Sequence, residues 1–264
     1  MTAVADAVFR SAGVIYSVAA REAQSRNVES PLGLFTMVLE PLAMLAMMTL
    51  IFSYVRMRTA GMGDYIMLFL MTGIVPLSAF RSSVQGGDRA YMRMRRMLVL
   101  PGIQPIDLVL GGILINFLVV TALFTVITFL FHFIYNTSSP EYFWLSLVPV
   151  IGNCAIAFGF CTMNMAIKLH FKFWGVLFGI ITGPLNIVSG MFYTADTMPP
   201  QLLKYLYYNP FMHSTELMRT FYFPEYTSQF FDPYYYGGWV MGAIVFGLLM
   251  ERAYRYRLLQ ATVR

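Results

Sequence analysis

Apolar residues run along this chain in six long blocks, Leu34–Val55, Tyr65–Phe80, Leu108–Tyr135, Phe143–Ile167, Phe173–Met191 and Tyr235–Met250, with shorter polar stretches between them. A helix needs about 20 mostly apolar residues to cross a bilayer, and open strands would leave backbone groups unpaired in lipid. The pattern therefore predicts an all-α membrane protein with six transmembrane helices. The second and sixth blocks are short and must extend into their flanks. Pro41, Pro76, Pro149 and Pro184 fall inside spans, where kinks are tolerated if neighbouring groups satisfy the freed carbonyls.

Two stretches fit neither span nor turn. Residues 1–30 are too polar to cross, yet Val4, Val8, Ile15, Val18 and Ala19 alternate with Arg10, Arg21, Glu22 and Arg26. This predicts an N-terminal amphipathic interface helix lying on the membrane surface, ahead of a six-helix transmembrane domain at 31–264. The second stretch, Gly190–Tyr236, holds fifteen Phe and Tyr. Its apolar pieces, split by Asn209-Pro210, read as re-entrant half-helices before the last span. An interfacial aromatic belt is the plainer reading of the same residues.

Composition agrees with the pattern: 58% of the 264 residues are hydrophobic and 12% charged, with mean hydropathy +0.63, against about 25% charged in soluble domains. Of eighteen Lys and Arg, only Arg56, Arg58, Lys204 and Arg219 fall on one side of the predicted spans, and fourteen fall on the other. The positive-inside bias makes the richer side cytoplasmic, so both termini are cytoplasmic. The same bias accounts for the net charge of +5 without a nucleic-acid partner. "MTAVADAVFR" carries Asp6 before its first Arg, so no cleaved leader is expected. Cys154 and Cys161 read as small hydrophobes on one helix face.

Several chemistries are excluded or unsupported. None of the three lysines, Lys168, Lys172 and Lys204, precedes Ser or Thr, so the chain has no phosphate-binding loop of the G-x-x-x-x-G-K-[ST] kind. His132, His170 and His213 lack metal-ligand spacing, and no metal is expected. The central thirds of the spans carry no charge, against an ion-coupled carrier. Glu40 and Asp107 stand near cytoplasmic ends. Ser189 and His132 could pair only as a distant serine-protease alternative with no supporting motif.

If the chain neither binds ATP nor relays ions, an external motor would supply the energy. "DRAYMRMRRMLVLP" places Arg89, Arg93, Arg95 and Arg96 in the loop 86–104. As a helix it sets Arg89, Arg93 and Arg96 on one face and Ala90, Tyr91, Met94, Met97 and Leu98 on the other. Asp88, Arg89, Tyr91, Arg93, Met94, Arg96 and Met97 form the candidate contact with a motor, although topology alone could also place these arginines. Gly175, Gly179 and Gly183, four apart, suit close helix packing, either within the chain or in a homodimer.

These residues carry a family resemblance. "REAQSRNVESPLGLFTMVLEPL", through Arg21, Glu22, Arg26, Leu32, Gly33, Glu40 and Pro41, resembles the N-terminal signature of ABC-transporter permeases that export polysaccharides. "SGMFYTADTMPPQLLKYLYYNPFMHSTELMR" resembles their external half-helix region through Ser189, Gly190, Phe192, Tyr193, Pro199, Asn209, Pro210, His213, Glu216 and Arg219. Among subgroups the chain is most similar to capsular-polysaccharide exporters of the bacterial inner membrane.

The resemblance implies a homodimer with two copies of a separate ATPase subunit. That subunit would bind ATP and Mg, leaving this chain without a cofactor and without enzyme activity of its own. It further implies a lipid-linked polysaccharide moving through a channel between the two permeases, with a periplasmic adaptor and an outer-membrane channel beyond. Arg21, Glu22, Arg26 and Glu40 are the candidate loading residues, although Arg21 and Glu22 could equally pair with each other. Phe192, Tyr193 and Asn209 are candidates for the exit. O-antigen, teichoic-acid, and multidrug or lipid permeases remain alternatives on the same scaffold.

Overall fold

The structure is a computed structural model that describes residues 2–29, 33–54, 66–99, 102–135, 142–171 and 173–263; side chains at 2–10, 26–29, 33–38, 40, 99, 135 and 260–263 lie outside the description. Ten α-helices follow in order, with no strand among the described residues: α1 (Thr2–Glu29), α2 (Gly33–Tyr54), α3 (Ile66–Met94), α4 (Pro105–Tyr135), α5 (Val148–Lys168), α6 (Trp174–Thr182), α7 (Leu185–Val188), α8 (Pro200–Leu206), α9 (Pro210–Tyr222) and α10 (Pro233–Val263). Three helical stretches among the described residues are long and apolar enough to cross a membrane: Ile66–Leu98, Pro105–Ile134 and Leu145–Lys168. Pro41–Tyr54 and Trp174–Val188 are apolar but shorter.

The core is apolar, but so is much of the surface, and several polar groups are buried. Leu118, Val126, Phe129, Leu130, Phe133 and Ile134 of α4 face outward, while Thr72, Ser83, Asn116, Asn153, Asn164, Glu216 and Arg219 are buried. Lipid solvates the apolar surface, and the interior takes polar groups that can pair with one another.

The axis of this interior is α3, packed against α2, α4, α5 and α9. Where the sequence reading ends a span at Phe80 and begins a loop helix at Asp88, the structure runs one helix to Met94, and a 3-10 helix follows at Arg95–Val99. Gly86 and Gly87, inside this helix, serve packing. A Cβ on Gly86 would stand 2.9 Å from the Gly112 carbonyl oxygen and 2.8 Å from Asn116 Cγ, and one on Gly87 would stand 2.7 Å from Cys161 Sγ. Glycine thus lets α3 meet α4 backbone to backbone and admit the Cys161 side chain of α5. A Cβ on Gly73 would meet Met191 Cα at 2.8 Å, so the same device repeats nearer the other end.

Asn153 of α5 crosslinks the bundle. Its amide nitrogen donates to the Pro76 carbonyl of α3 at 2.8 Å and to Ser214 Oγ of α9 at 3.0 Å, and its oxygen accepts from the Tyr236 hydroxyl of α10 at 3.0 Å. A fully paired buried amide of this kind fixes how four helices sit together.

The fifth apolar block is not one helix. α6 ends at Gly183-Pro184 and α7 adds a single turn, because a proline inside a helix lacks the donor to continue the ladder. In the 190–236 stretch, α8 buries nothing, while α9 is buried from Pro210 to Arg219. Asn209 caps α9 through its side-chain oxygen, which accepts from Phe211 N at 3.1 Å with Pro210 at the first helical position. Asp232-Pro233 opens α10 the same way: Asp232 Oδ1 accepts from Tyr234 N and Tyr235 N at 2.9 and 3.1 Å.

Candidate functional site

One end of the bundle gathers α1, the end of α3 with its 3-10 helix, the start of α4, the end of α5 and the second half of α10. Val18 and Ala19 of α1 pack where α4 carries Gly111; a Cβ there would fall 2.8 Å from Val18 Cβ. This contact sets Glu22, fully buried, beside α3. Arg93 lies 3.5 Å from Glu22 Oε1 and donates to Ser25 Oγ at 3.1 Å. Arg21 points at Met97 Sδ, 3.9 Å away.

Two residue groups distant in sequence are therefore neighbours: Arg21 and Glu22 on α1, and Arg93 and Met97 at the end of α3. On the opposite side of α3, Asp88 Oδ2 accepts from Lys168 Nζ of α5 at 2.5 Å. The end of α3 is thus fastened to α1 and to α5 by charged pairs. Tyr91 and Met94 are buried in the joint, Met97 is partly buried, and Arg89, Arg93 and Arg96 are exposed. The side chains of Arg26 and Glu40 lie outside the described residues.

At the opposite end a second network is fully internal. Arg219 of α9 is completely buried, and it donates from Nη1 to the Tyr193 carbonyl and from Nη2 to the Gly190 carbonyl, both at 2.7 Å. Its Nη1 stands 3.3 Å from Glu216 Oε1, and its guanidinium lies 4.3 Å above the Phe69 ring of α3. Glu216 also accepts from Ala195 N at 3.2 Å and from the Tyr226 hydroxyl. Burial, then the Glu216 charge, pushes the Tyr226 hydroxyl well above its usual range, so it stays a donor. Gly190 supplies the positive φ of 73° that turns its carbonyl towards the arginine.

The candidate exit residues sit around this clamp. Phe192 stacks on Phe52 of α2, with ring centres 5.4 Å apart. The Tyr193 hydroxyl donates to the Val188 carbonyl at 3.2 Å. Asn209, besides capping α9, donates to Ser189 Oγ at 3.0 Å. No histidine among the described residues bonds Ser189, which leaves the serine–histidine pairing without geometry. His213 is held as a neutral imidazole: its Nε2 faces the Tyr207 carbonyl at 2.8 Å and its Nδ1 accepts from Asp232 N at 3.2 Å. Burial lowers its pKa below 6.5.

The glycine row lies on the outer surface of α6. Gly175 and Gly179 are exposed; a Cβ on Gly179 would meet nothing within 4 Å, and one on Gly175 only Lys168 Cε at 3.8 Å. Val176, Ile180 and Ile181 are likewise exposed, at 65–66%. Among the described residues, no other helix packs directly on Gly179, which with Gly175 borders a cavity shared with α3.

Between α2, α4 and α7 the structure shows what the pattern of blocks conceals. Ser78, Arg81, Ser82, Gln85 and Arg89 of α3, with Asn116 of α4, line a groove of about 80 Å³. Arg81 and Gln85 also border an adjoining cavity of about 190 Å³ reaching Lys168, Gly175 and Gly179. The sequence signal was the polar spacing at 78, 81, 82, 85 and 89, one face of a helix, masked by ending the span at Phe80.

Comparison with known proteins follows the same outline. The family model described as "ABC-2 type transporter" matches residues 14–223. The capsule polysaccharide export inner-membrane protein CtrC of Neisseria meningitidis serogroup A is 22% identical over 222 residues, covering 84% of this chain and 83% of that protein. The polysialic acid transport protein KpsM of Escherichia coli is 26% identical over 242 residues, covering 88% and 90%. The capsule polysaccharide export inner-membrane protein BexB of Haemophilus influenzae is 22% identical over 215 residues, covering 80% of each.

Proposed function

The chain belongs to the ABC-2 type transporter family, and from that premise we propose that it is the membrane subunit of an ATP-driven exporter of lipid-linked capsular polysaccharide. The names of the similar proteins support the cargo. The arginine-rich end of the bundle supports a cytoplasmic placement for α1, the end of α3 and the second half of α10. In this reading α1 is an interface helix, residues 86–104 meet a separate ATPase subunit that binds ATP and Mg, and residues 190–236 form the outer, re-entrant part. Six crossings put both termini inside, in a bacterial inner membrane, with an adaptor and an outer-membrane channel continuing the path.

One observation carries the proposal: the polar face of α3 lies open between two apolar, exposed helices, α2 and α6. A second copy of the chain, packed along the Gly175, Gly179 and Gly183 face, would close that groove into a conduit. An unbroken α3 of 29 residues spans about 44 Å, so movement imposed at Arg89–Leu98 reaches the outer clamp. Charged pairs to α1 and α5 carry the same movement sideways. Arg21, Glu22, Arg26 and Glu40 stand where a lipid-linked cargo would be loaded, and Phe192, Tyr193 and Asn209 where it would leave.

Deleting the gene tests the reading. Surface polysaccharide should disappear and polymer should accumulate inside the cell, with the intact gene restoring export. Unchanged surface polysaccharide in the deletion strain would overturn it.

A further inference from the structure

Arg81 is the charged residue that the block pattern assigned to a loop and the structure sets inside a span. It lies fifteen residues into α3 from Ile66, about 22 Å along the helix, so a hydrocarbon layer of about 30 Å that began at Ile66 would take it in. A charge at that depth is costly and persists where it serves a site. Among the described residues no carboxylate pairs with Arg81 and no acceptor takes a hydrogen bond from it. Asp88, the nearest acid along the helix, is engaged by Lys168 on the side facing α5. The described wall of the α2–α4 side carries Arg81 and Arg89 and no acid.

The same wall offers neutral polar groups. Asn116 is fully buried, and its amide nitrogen is committed to the Gly112 carbonyl at 2.5 Å. That commitment fixes which end of the amide is the oxygen; the oxygen is buried with no hydrogen-bond partner, and Asn116 is part of the groove lining. One turn below Arg81, Gln85 is exposed. The groove thus sets a guanidinium, which binds planar oxyanions through paired donors, close to a buried acceptor that needs a hydroxyl.

We propose that Arg81, with Gln85 and Asn116 beside it, is a binding site for an anionic, hydroxyl-rich segment of the cargo, a phosphate or carboxylate on Arg81 and a sugar hydroxyl on Asn116. This rests on the exporter reading. The oxyanion could come from the polymer repeat or from the phosphate of its lipid end, and the chemistry at Arg81 is the same.

The test uses the complete transporter, this chain with its ATPase, in lipid nanodiscs. Three fluorescent probes are titrated: dextran sulfate, uncharged dextran of equal length, and short-chain phosphatidic acid. Variants are Arg81→Gln, Arg81→Lys and, as a control for charge outside the groove, Arg252→Gln. Losing one charged hydrogen-bonding partner should weaken binding about tenfold or more. Arg81→Gln should show that loss, Arg81→Lys should recover part of it, and neutral dextran should not respond.

A loss confined to dextran sulfate assigns the oxyanion to the polymer repeat, and a loss confined to phosphatidic acid assigns it to the lipid end; either supports the site. Equal losses in Arg252→Gln and Arg81→Gln, or no loss in Arg81→Gln with an unchanged melting temperature, overturn it. In the deletion strain, failure of the intact gene to restore surface polymer would count against the exporter reading, while the binding arm still decides the site.

Discussion

Replacing Arg219 by Met removes the centre of the outer clamp while keeping an unbranched apolar stem over Phe69. The wild-type side chain holds the Tyr193 and Gly190 carbonyls at 2.7 Å and Glu216 at 3.3 Å, with no exposure to solvent. Its loss leaves those carbonyls unpaired and Glu216 as a buried carboxylate supported only by Ala195 N and the Tyr226 hydroxyl. Breaking a buried ion pair from one side costs about 3–5 kcal/mol. At about 2–4 °C per kcal/mol for a chain of this size, the melting temperature should fall on the order of 10 °C. Intrinsic tryptophan fluorescence of the purified protein in detergent measures this. Arg219→Lys should recover less than half, because one ammonium cannot span two carbonyls and a carboxylate as the guanidinium fork does. If both variants melt within about 2 °C of the parent, the clamp does not hold residues 190–195 to α9 and the reasoning fails.

Three further outcomes follow from the same contacts. Gly86→Val should cost about 1–3 kcal/mol by forcing α3 off α4, whereas Gly237→Ala, with open space around it, should leave the melting temperature unchanged. Asn153→Leu should cost about 1–3 kcal/mol: it orphans the Pro76 carbonyl, while the Tyr236 hydroxyl keeps Pro149 O and Ser214 keeps Phe211 O. His213 titrates below 6.5 in the folded chain, so the unfolded chain takes up the proton first as pH falls. Its stabilisation is full above about pH 6.5 and is lost as pH drops through the folded value. Melting temperature against pH should therefore slope downward on the acid side, and less so in His213→Gln.

The apolar blocks made helices and a membrane legible because both depend on local composition. What they could not show depends on which helix lies next to which. The role of Gly86 in running α3 on as one rod shows only once Gly112 is known to lie against it. The end of a hydropathy block placed Arg81 outside the span, although helical spacing from Ser78 to Arg89 continued through it. Pro184 gave the opposite error: the block ran on, but the missing donor divided it into α6 and α7. In the candidate site, Arg21, Glu22 and Arg93 could be chosen by residue type. That Glu22 meets Arg93 from another helix, and that Lys168 meets Asp88, required the fold. Arg219 is legible in the sequence as one of four cations on one side and as a residue of the resembled half-helix region; that it is buried, with both Nη groups engaged, required the fold.

These partners divide the arginine knot into two parts. Arg93 is engaged across helices by Glu22 and Ser25, and Arg89 within its own helix by the Gln85 carbonyl. Arg95 and Arg96 are exposed on the 3-10 helix, with no hydrogen bond or ion pair among the described residues. In the proposed complex, a soluble subunit approaching this end would find Arg95 and Arg96 available to pair. In the proposed exporter, a pull on these two would move the end of α3, and the Arg93–Glu22 and Asp88–Lys168 pairs would carry it to α1 and α5. The side chains that would grip a motor are therefore different from those that would transmit its stroke, although the sequence places all four arginines within eight residues.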